Sequence, residues 1–206
     1  SAASDVYKRQ IYTNMISDKL QKAINEQIVA EMWSANLYLS MSFYLQREGY
    51  DGCATWMKKQ SQEELEHAYD MANYVIKRGG VAKVDKIDVV PQEWNGVLGV
   101  FENVYEHECQ VSKLIENVVK VASEEKDMAS QDFLWGYVRE QVEEEATAQG
   151  ILEKIRKITR KTRVNMNHFF ILFFFVFIIT SALRYKLWQK FRYHLGRKHF
   201  FKLIMC

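Results

Sequence analysis

Proline occurs once in 206 residues and glycine nine times, too few to punctuate a chain of many short strands and turns. The three cysteines, Cys53, Cys109 and Cys206, lie far apart with no paired spacing. That pattern excludes a disulfide scaffold and any Cys-x-x-Cys module. Each thiol reads as an ordinary cysteine of a reducing compartment, so a cytoplasmic location is expected. Residues 1–14 have neither a helical apolar period nor the apolar stretch of a secretory signal. They precede a credible start at Met15 and read as a disordered upstream extension. Acidic side chains are absent from residues 159–206, which hold ten of the 28 lysines and arginines. The first 158 residues therefore set 18 bases against all 26 acids, a net charge of −8. Such a body attracts cations, and no nucleic-acid partner is expected.

What the chain does have is apolar periodicity. At 48% hydrophobic it can bury one sizeable core. Ser17 is a good helix N-cap, and a first helix is predicted from there to about Arg47, ahead of the turn Gly49-Tyr50-Asp51-Gly52. Its stripe is Leu20, Ile24, Ile28, Glu31, Ala35, Tyr38, Ser42, Leu45. A second helix starts near Asp51 and stops at Gly79-Gly80, with the stripe Ala54, Met57, Ser61, Glu64, Ala68, Met71, Val75. The third follows Pro91 and reads Val97, Phe101, Val104, Glu108, Val111, Ile115, Val118, Ala122. The fourth, about Met128 to Ile158, reads Phe133, Tyr137, Glu140, Glu144, Thr147, Ile151, Ile155, Ile158. Steps of three and four mark one buried face per helix. The fold class is all-α, a four-helix bundle over residues 15–158. Short links imply antiparallel neighbours, but the extended stretch Gly80 to Trp94 is long enough, at roughly 3.3 Å per residue, to cross the whole bundle.

Five glutamates interrupt these stripes near mid-helix: Glu31, Glu64, Glu108, Glu140 and Glu144, with His67 one turn after Glu64. No lysine or arginine shares the stripes. A carboxylate buried without a partner costs several kcal/mol or takes up a proton, so five at one height require cations between them. Oxygen donors with one imidazole suit iron, manganese or zinc. Glu64 and His67 form the Glu-x-x-His element of metal sites in bundles. It is weak alone and strong among three further in-stripe glutamates.

The stretches NEQIVAEMWSANLYLSMS (25–42), SQEELEHA (61–68), YEHE (105–108) and YVREQVEEE (137–145) resemble the bacterial non-haem ferritins, over about Met15 to Ile158. The resemblance implies a ferritin-like bundle with a long crossover between helices two and three. It implies a first iron held by Glu31, Glu64 and His67. A second would be held by bridging Glu64 with Glu108 and Glu144, Gln141 lying close by. A third would involve Glu63, Glu140, Glu143 and Glu144. Tyr38 matches the family's tyrosine beside the di-iron centre, as a hydrogen-bond or electron donor, while a plain core tyrosine fits equally. Glu140-Gln141-Val142-Glu143 lacks the second Glu-x-x-His of bacterioferritins, rubrerythrins and di-iron oxygenases. No haem is expected, since Met57 and Met71 read as core filler. His107 lies off the stripe and is expected at the surface.

The implied function is ferroxidase-coupled iron storage: Fe(II) is oxidised to Fe(III) by O2 or H2O2, and a ferric mineral forms inside a 24-subunit shell of identical chains. Two other classes remain open, a di-iron oxidase or peroxidase without storage and a non-catalytic, membrane-attached helical bundle. The second draws on residues 159–206, where the family's short fifth helix is replaced by a basic, aromatic tail. Its apolar run, Phe169 to Ile179, falls short of the roughly 20 residues that cross a bilayer. The bases after it could hold an interfacial anchor. The preferred reading is that the tail is foreign to the fold, as translation in a shifted frame would produce. On that reading no membrane contact is expected and His168, His194 and His199 are incidental.

Overall fold

The computed structural model describes residues 15–162. Four helices account for most of them: α1 (Asp18–Arg47), α2 (Asp51–Lys77), α3 (Gly96–Glu124) and α4 (Met128–Thr162). Each boundary has a local cause. The Ser17 hydroxyl accepts from the Leu20 N–H at 3.2 Å, satisfying one of the unpaired donors at the α1 N-terminus. Gly49 and Gly79, with φ of 81° and 74°, turn the chain out of α1 and α2. Asp127 caps α4 by accepting from the Ser130 N–H at 3.0 Å, and the same carboxylate takes both arms of Arg78 at 3.0 and 2.8 Å. That fork pins the end of α2 to the turn between α3 and α4.

The link from α2 to α3 is extended and lies along α1. Near its start the Val81 N–H donates to Gln21 at 2.7 Å, and Asn25 donates to the Val81 carbonyl at 3.0 Å. Near its end Ser40 donates to the Pro91 carbonyl, Tyr44 to the Trp94 carbonyl, and Arg47 forks onto Glu93. The link therefore travels from the first turns of α1 to its last, and α3 starts at the opposite end of the bundle from where α2 stopped. This is the crossover the sequence predicts. At its origin Gly80 has no room to grow: an added Cβ would lie 2.6 Å from Gln21 Oε1, 2.8 Å from Ile16 Cγ2 and 3.0 Å from Val75 Cγ1. Gly80→Ala is expected to destabilise the protein by about 1–3 kcal/mol through overpacking, read as a lower midpoint of thermal unfolding.

The core has two apolar halves. One joins Leu20, Ile24, Ile28, Met71, Val75 and Val118, and the other joins Leu37, Met41, Leu45, Met57, Phe101 and Ile151. Between them sits a buried polar layer containing Gln27, Glu31, Gln60, Glu64, His107, Glu108, Gln141 and Glu144. The predicted stripes of α1 and α2 are buried throughout, but that of α4 is not. Its inward line runs Leu134, Tyr137, Gln141, Glu144, Ala148, Ile151, Ile155, and Glu140, expected among the core positions, has a side chain 49% exposed. From Tyr137 the helix takes its step of four before its step of three, which swings Gln141 inward and Glu140 to the rim.

Residues 159–162 continue α4, so the predicted end of the bundle at 158 falls inside a helix. The upstream extension 1–14 and the remainder of the tail, including the 169–179 apolar run, lie outside the described residues. Among those described, no helix is long and apolar enough to cross a membrane.

Candidate metal centre

All four helices contribute to the polar layer. On α1, Glu31 is 1% exposed. Gln27, one turn earlier, donates to its Oε1 at 2.9 Å, while Oε2 has no partner. It is the one such buried side-chain atom among the described residues. An orphaned carboxylate oxygen in a bundle core is costly and marks where a cation belongs. On α2, Glu64 is buried, and its Oε2 lies 3.3 Å from Nδ1 of His67, half a turn to a turn further on. One donor atom each from Glu31, Glu64 and His67 fall within 4.8 Å of one another. Two carboxylates and an imidazole so placed fit the hard, oxygen-preferring cations inferred from the sequence.

The electrostatics carry the same message. Burial first, then the neighbouring Glu64 carboxylate, pushes Glu31 up to about 8. Burial likewise raises Glu64. For His67 burial opposes the imidazolium, but hydrogen bonds with Glu140, at 3.4 Å from Nε2, and with Glu64 outweigh it and lift the ring to about 11. Without a metal the site gathers protons to balance its carboxylates. A divalent cation would displace them.

On α3, both oxygens of Glu108 are held. The Tyr38 hydroxyl donates a short hydrogen bond to Oε1, and Gln141 Nε2 donates to Oε2 at 2.7 Å and to the Glu108 main-chain carbonyl at 3.0 Å. Burial first, then the Glu108 charge, keeps the Tyr38 hydroxyl well above its ordinary value, so it acts as a donor. Its ring is fully buried. Glu144 is buried on α4 and accepts from Gln60 at 3.4 Å. The other sequence candidates are less covered: Glu63 is half-buried, and Glu140 and Glu143 are exposed. The structure thus brings Glu31, Glu64 and His67 into one cluster, sets Glu108 and Glu144 in the same layer, and leaves Glu63 and Glu143 outside that cluster.

A ferritin-like domain profile matches residues 21–158. The bacterial non-heme ferritin of Bacteroides fragilis (strain 638R) is 71% identical over 143 residues, covering 69% of this chain and 90% of that protein. This chain belongs to the ferritin family. The ferritin is also 37% identical to the bacterial non-heme ferritin of Campylobacter jejuni, over 70% of this chain and 86% of that one. Among solved structures, the open pore ferritin of Archaeoglobus fulgidus superposes with a TM-score of 0.73 at 45% identity, over 80% of this chain and 98% of that one.

Three residues of this ferritin's polar layer escaped the sequence reading, the amides of Gln27 and Gln60 and the imidazole of His107. His107, expected at the surface, is buried, and its Nε2 lies 2.9 Å from the Ser34 hydroxyl between α1 and α3. Burial pushes the ring down to about 4, so it is neutral. The stripe through Val104 and Glu108 steps by four, and a helix in contact with two neighbours buries a face wider than one stripe. Small Ser34, directly across on α1, opens the space, and only the packing of α1 on α3 shows it.

Proposed function

We propose that Fe(II), the substrate of this iron-storage ferroxidase, is oxidised between Glu31, Glu64, His67, Glu108 and Glu144, with Glu64 shared by two ions. The observation that carries this reading is the convergence of Glu31, Glu64 and His67, one ligand atom of each within 4.8 Å of the others. Glu31 and His67 take one ion from the side of α1 and α2. Glu108 and Glu144 take the other from α3 and α4, Gln141 holding Glu108 in place. Tyr38 and Gln141 between them fix the orientation of the Glu108 carboxylate.

Two Fe(II) ions give up one electron each. Dioxygen takes both with two protons and leaves as H2O2, or H2O2 takes both with two protons and leaves as two waters. Hard carboxylate ligands favour Fe(III) over Fe(II), so the oxidation runs forward. Tyr38 acts here by orienting Glu108. The more exposed carboxylates Glu63, Glu140 and Glu143, together with the buried Glu144, are suited to a third ion on its way out. Glu140 already reaches His67. The ferric product is stored in a shell of identical chains, taken as 24, and the protein works in the cytoplasm. Residues 15–158 carry this activity. The tail is read as foreign to it and as the element that decides whether the shell closes.

Loading the full-length chain with Fe(II) in air, followed by sedimentation, tests both halves. The expected result is fast oxidation and an iron-rich species of about 24 subunits. Fast oxidation with small oligomers or aggregates only would leave the oxidation site standing and reject storage by this chain with its tail in place. Oxidation no faster than that of free Fe(II) would reject the site.

A further inference from the structure

We infer that His107 is a positioning residue for Fe(II) oxidation, tying α3 to α1 through Ser34 so that the Tyr38 phenol meets Glu108. This rests on the orienting role proposed above for Tyr38. Ser34 donates its single hydroxyl proton to the Ala30 carbonyl at 3.0 Å. With that proton on the Ala30 carbonyl, the 2.9 Å contact with His107 is made when Nε2 carries the hydrogen and Ser34 accepts with a lone pair. Either way round, the contact gives the ring one defined direction. Ser34 stands one turn before Tyr38 on α1, and His107 stands next to Glu108 on α3. The cross-link consequently sets the register of the two helices at the level where the phenol crosses from one to the other.

The rings complete the clamp. Tyr38 meets His107 edge-on, with centroids 6.0 Å apart and planes at 74°, and meets Trp56 of α2 in the same manner at 6.3 Å and 81°. Trp33 packs against the other partner of this pair, 5.5 Å from the His107 centroid. T-shaped contacts from two helices hold the phenol in one rotamer, and such contacts favour one orientation over a freely sliding apolar fit. A leucine at 107 would fill similar space but could neither tie to Ser34 nor present a polar edge to the Tyr38 ring. What would be lost is alignment, which rate is more sensitive to than stability.

The test uses the full-length chain, reading single-turnover Fe(II) oxidation and the number of Fe(II) bound per subunit. His107→Leu is expected to slow oxidation about 10-fold, the scale of losing a support behind a metal ligand, without changing the number of ions bound. His107→Gln, which keeps a side-chain N–H near Ser34, is expected to restore most of the rate. The deciding comparison is made in Tyr38→Phe, where His107→Leu should cost nothing further, because the two act as one unit. Ser34→Ala should follow the same pattern if His107→Leu does not fold. An equal loss in the Tyr38→Phe background would make His107 merely structural and overturn the inference. So would a full rate in His107→Leu while Tyr38→Phe is slow, which leaves the tyrosine reading intact. A full rate in Tyr38→Phe would remove the tyrosine reading and this inference together.

Discussion

Glu64→Ala is expected to slow Fe(II) oxidation by more than about 100-fold, beyond the roughly 10–100-fold that losing a group behind a metal ligand costs. Glu64 is the buried carboxylate that touches His67 and shares a cluster with Glu31. Its charge also bears on Tyr38. Both Glu31 and Glu108 act on its carboxylate. Removing it leaves two half-sites, each with too few donors to hold an ion close to its neighbour, and a two-electron transfer requires both ions at once. Glu140→Ala should act differently. That side chain is half exposed and reaches His67 from the solvent side, so a loss of about 10-fold or less is expected. Stopped-flow absorbance of Fe(III) formation gives both numbers. A Glu64→Ala rate within 10-fold of the parent would mean that the oxidation site lies elsewhere.

Glu31→Gln should make the metal-free protein more stable while weakening its hold on metal. Burial and Glu64 raise Glu31 to about 8 in the folded state, above its ordinary value. A raised carboxyl contributes stability that is complete below its unfolded value, near pH 4.5, and is lost as pH climbs through 8. His67 acts in the same direction over a higher window. Its stability contribution is complete below its ordinary value, near pH 6.5, and falls away as pH rises toward about 11. Metal-free protein is therefore expected to melt at a lower temperature at pH 8 than at pH 5. Glutamine keeps the shape and the Gln27 contact region but cannot ionise, so it removes the Glu31 share of that loss, on the order of several kcal/mol at pH 8. For a domain of this size that corresponds to a rise of roughly 10–20 °C in melting temperature. Adding Zn(II), which cannot be oxidised, should raise the melting temperature of the parent strongly and that of Glu31→Gln much less. A metal-free Glu31→Gln that melts below the parent at pH 8 would show that the Glu31 charge is already balanced within the protein.

Much of this was legible in the residues, for reasons that are local. A period of 3.6 writes itself into any sequence that buries one face of a helix, so Leu20, Ile24, Ile28 and Glu31 announce both the helix and the misfit carboxylate within it. Ser17, Gly49 and Gly79 mark the ends because caps and left-handed turns depend on neighbouring backbone alone. The spacing of Glu64 and His67 puts them on one face whatever surrounds them. The stretch after Gly80 is long enough for a crossover before any contact is known.

The departures at Glu140 and His107 share a cause. Glu140 and Gln141 are consecutive, and either can continue an apolar stripe by a step of three or four. His107 and Glu108 present the same choice. Local periodicity allows both members of each pair. Which of them faces the core is settled by the rotation of the helix about its axis, and that rotation is set by what its neighbours offer: the Glu108 carboxylate for Gln141, the small Ser34 for His107. The sequence by itself determined the helices, their ends, the crossover and the carboxylates that cannot be buried without a cation. Only the tertiary structure decided which donors converge, which oxygen of Glu31 is left without a partner, and which residues stand behind Tyr38 and Glu108, because those groups come from helices that meet only when the bundle closes.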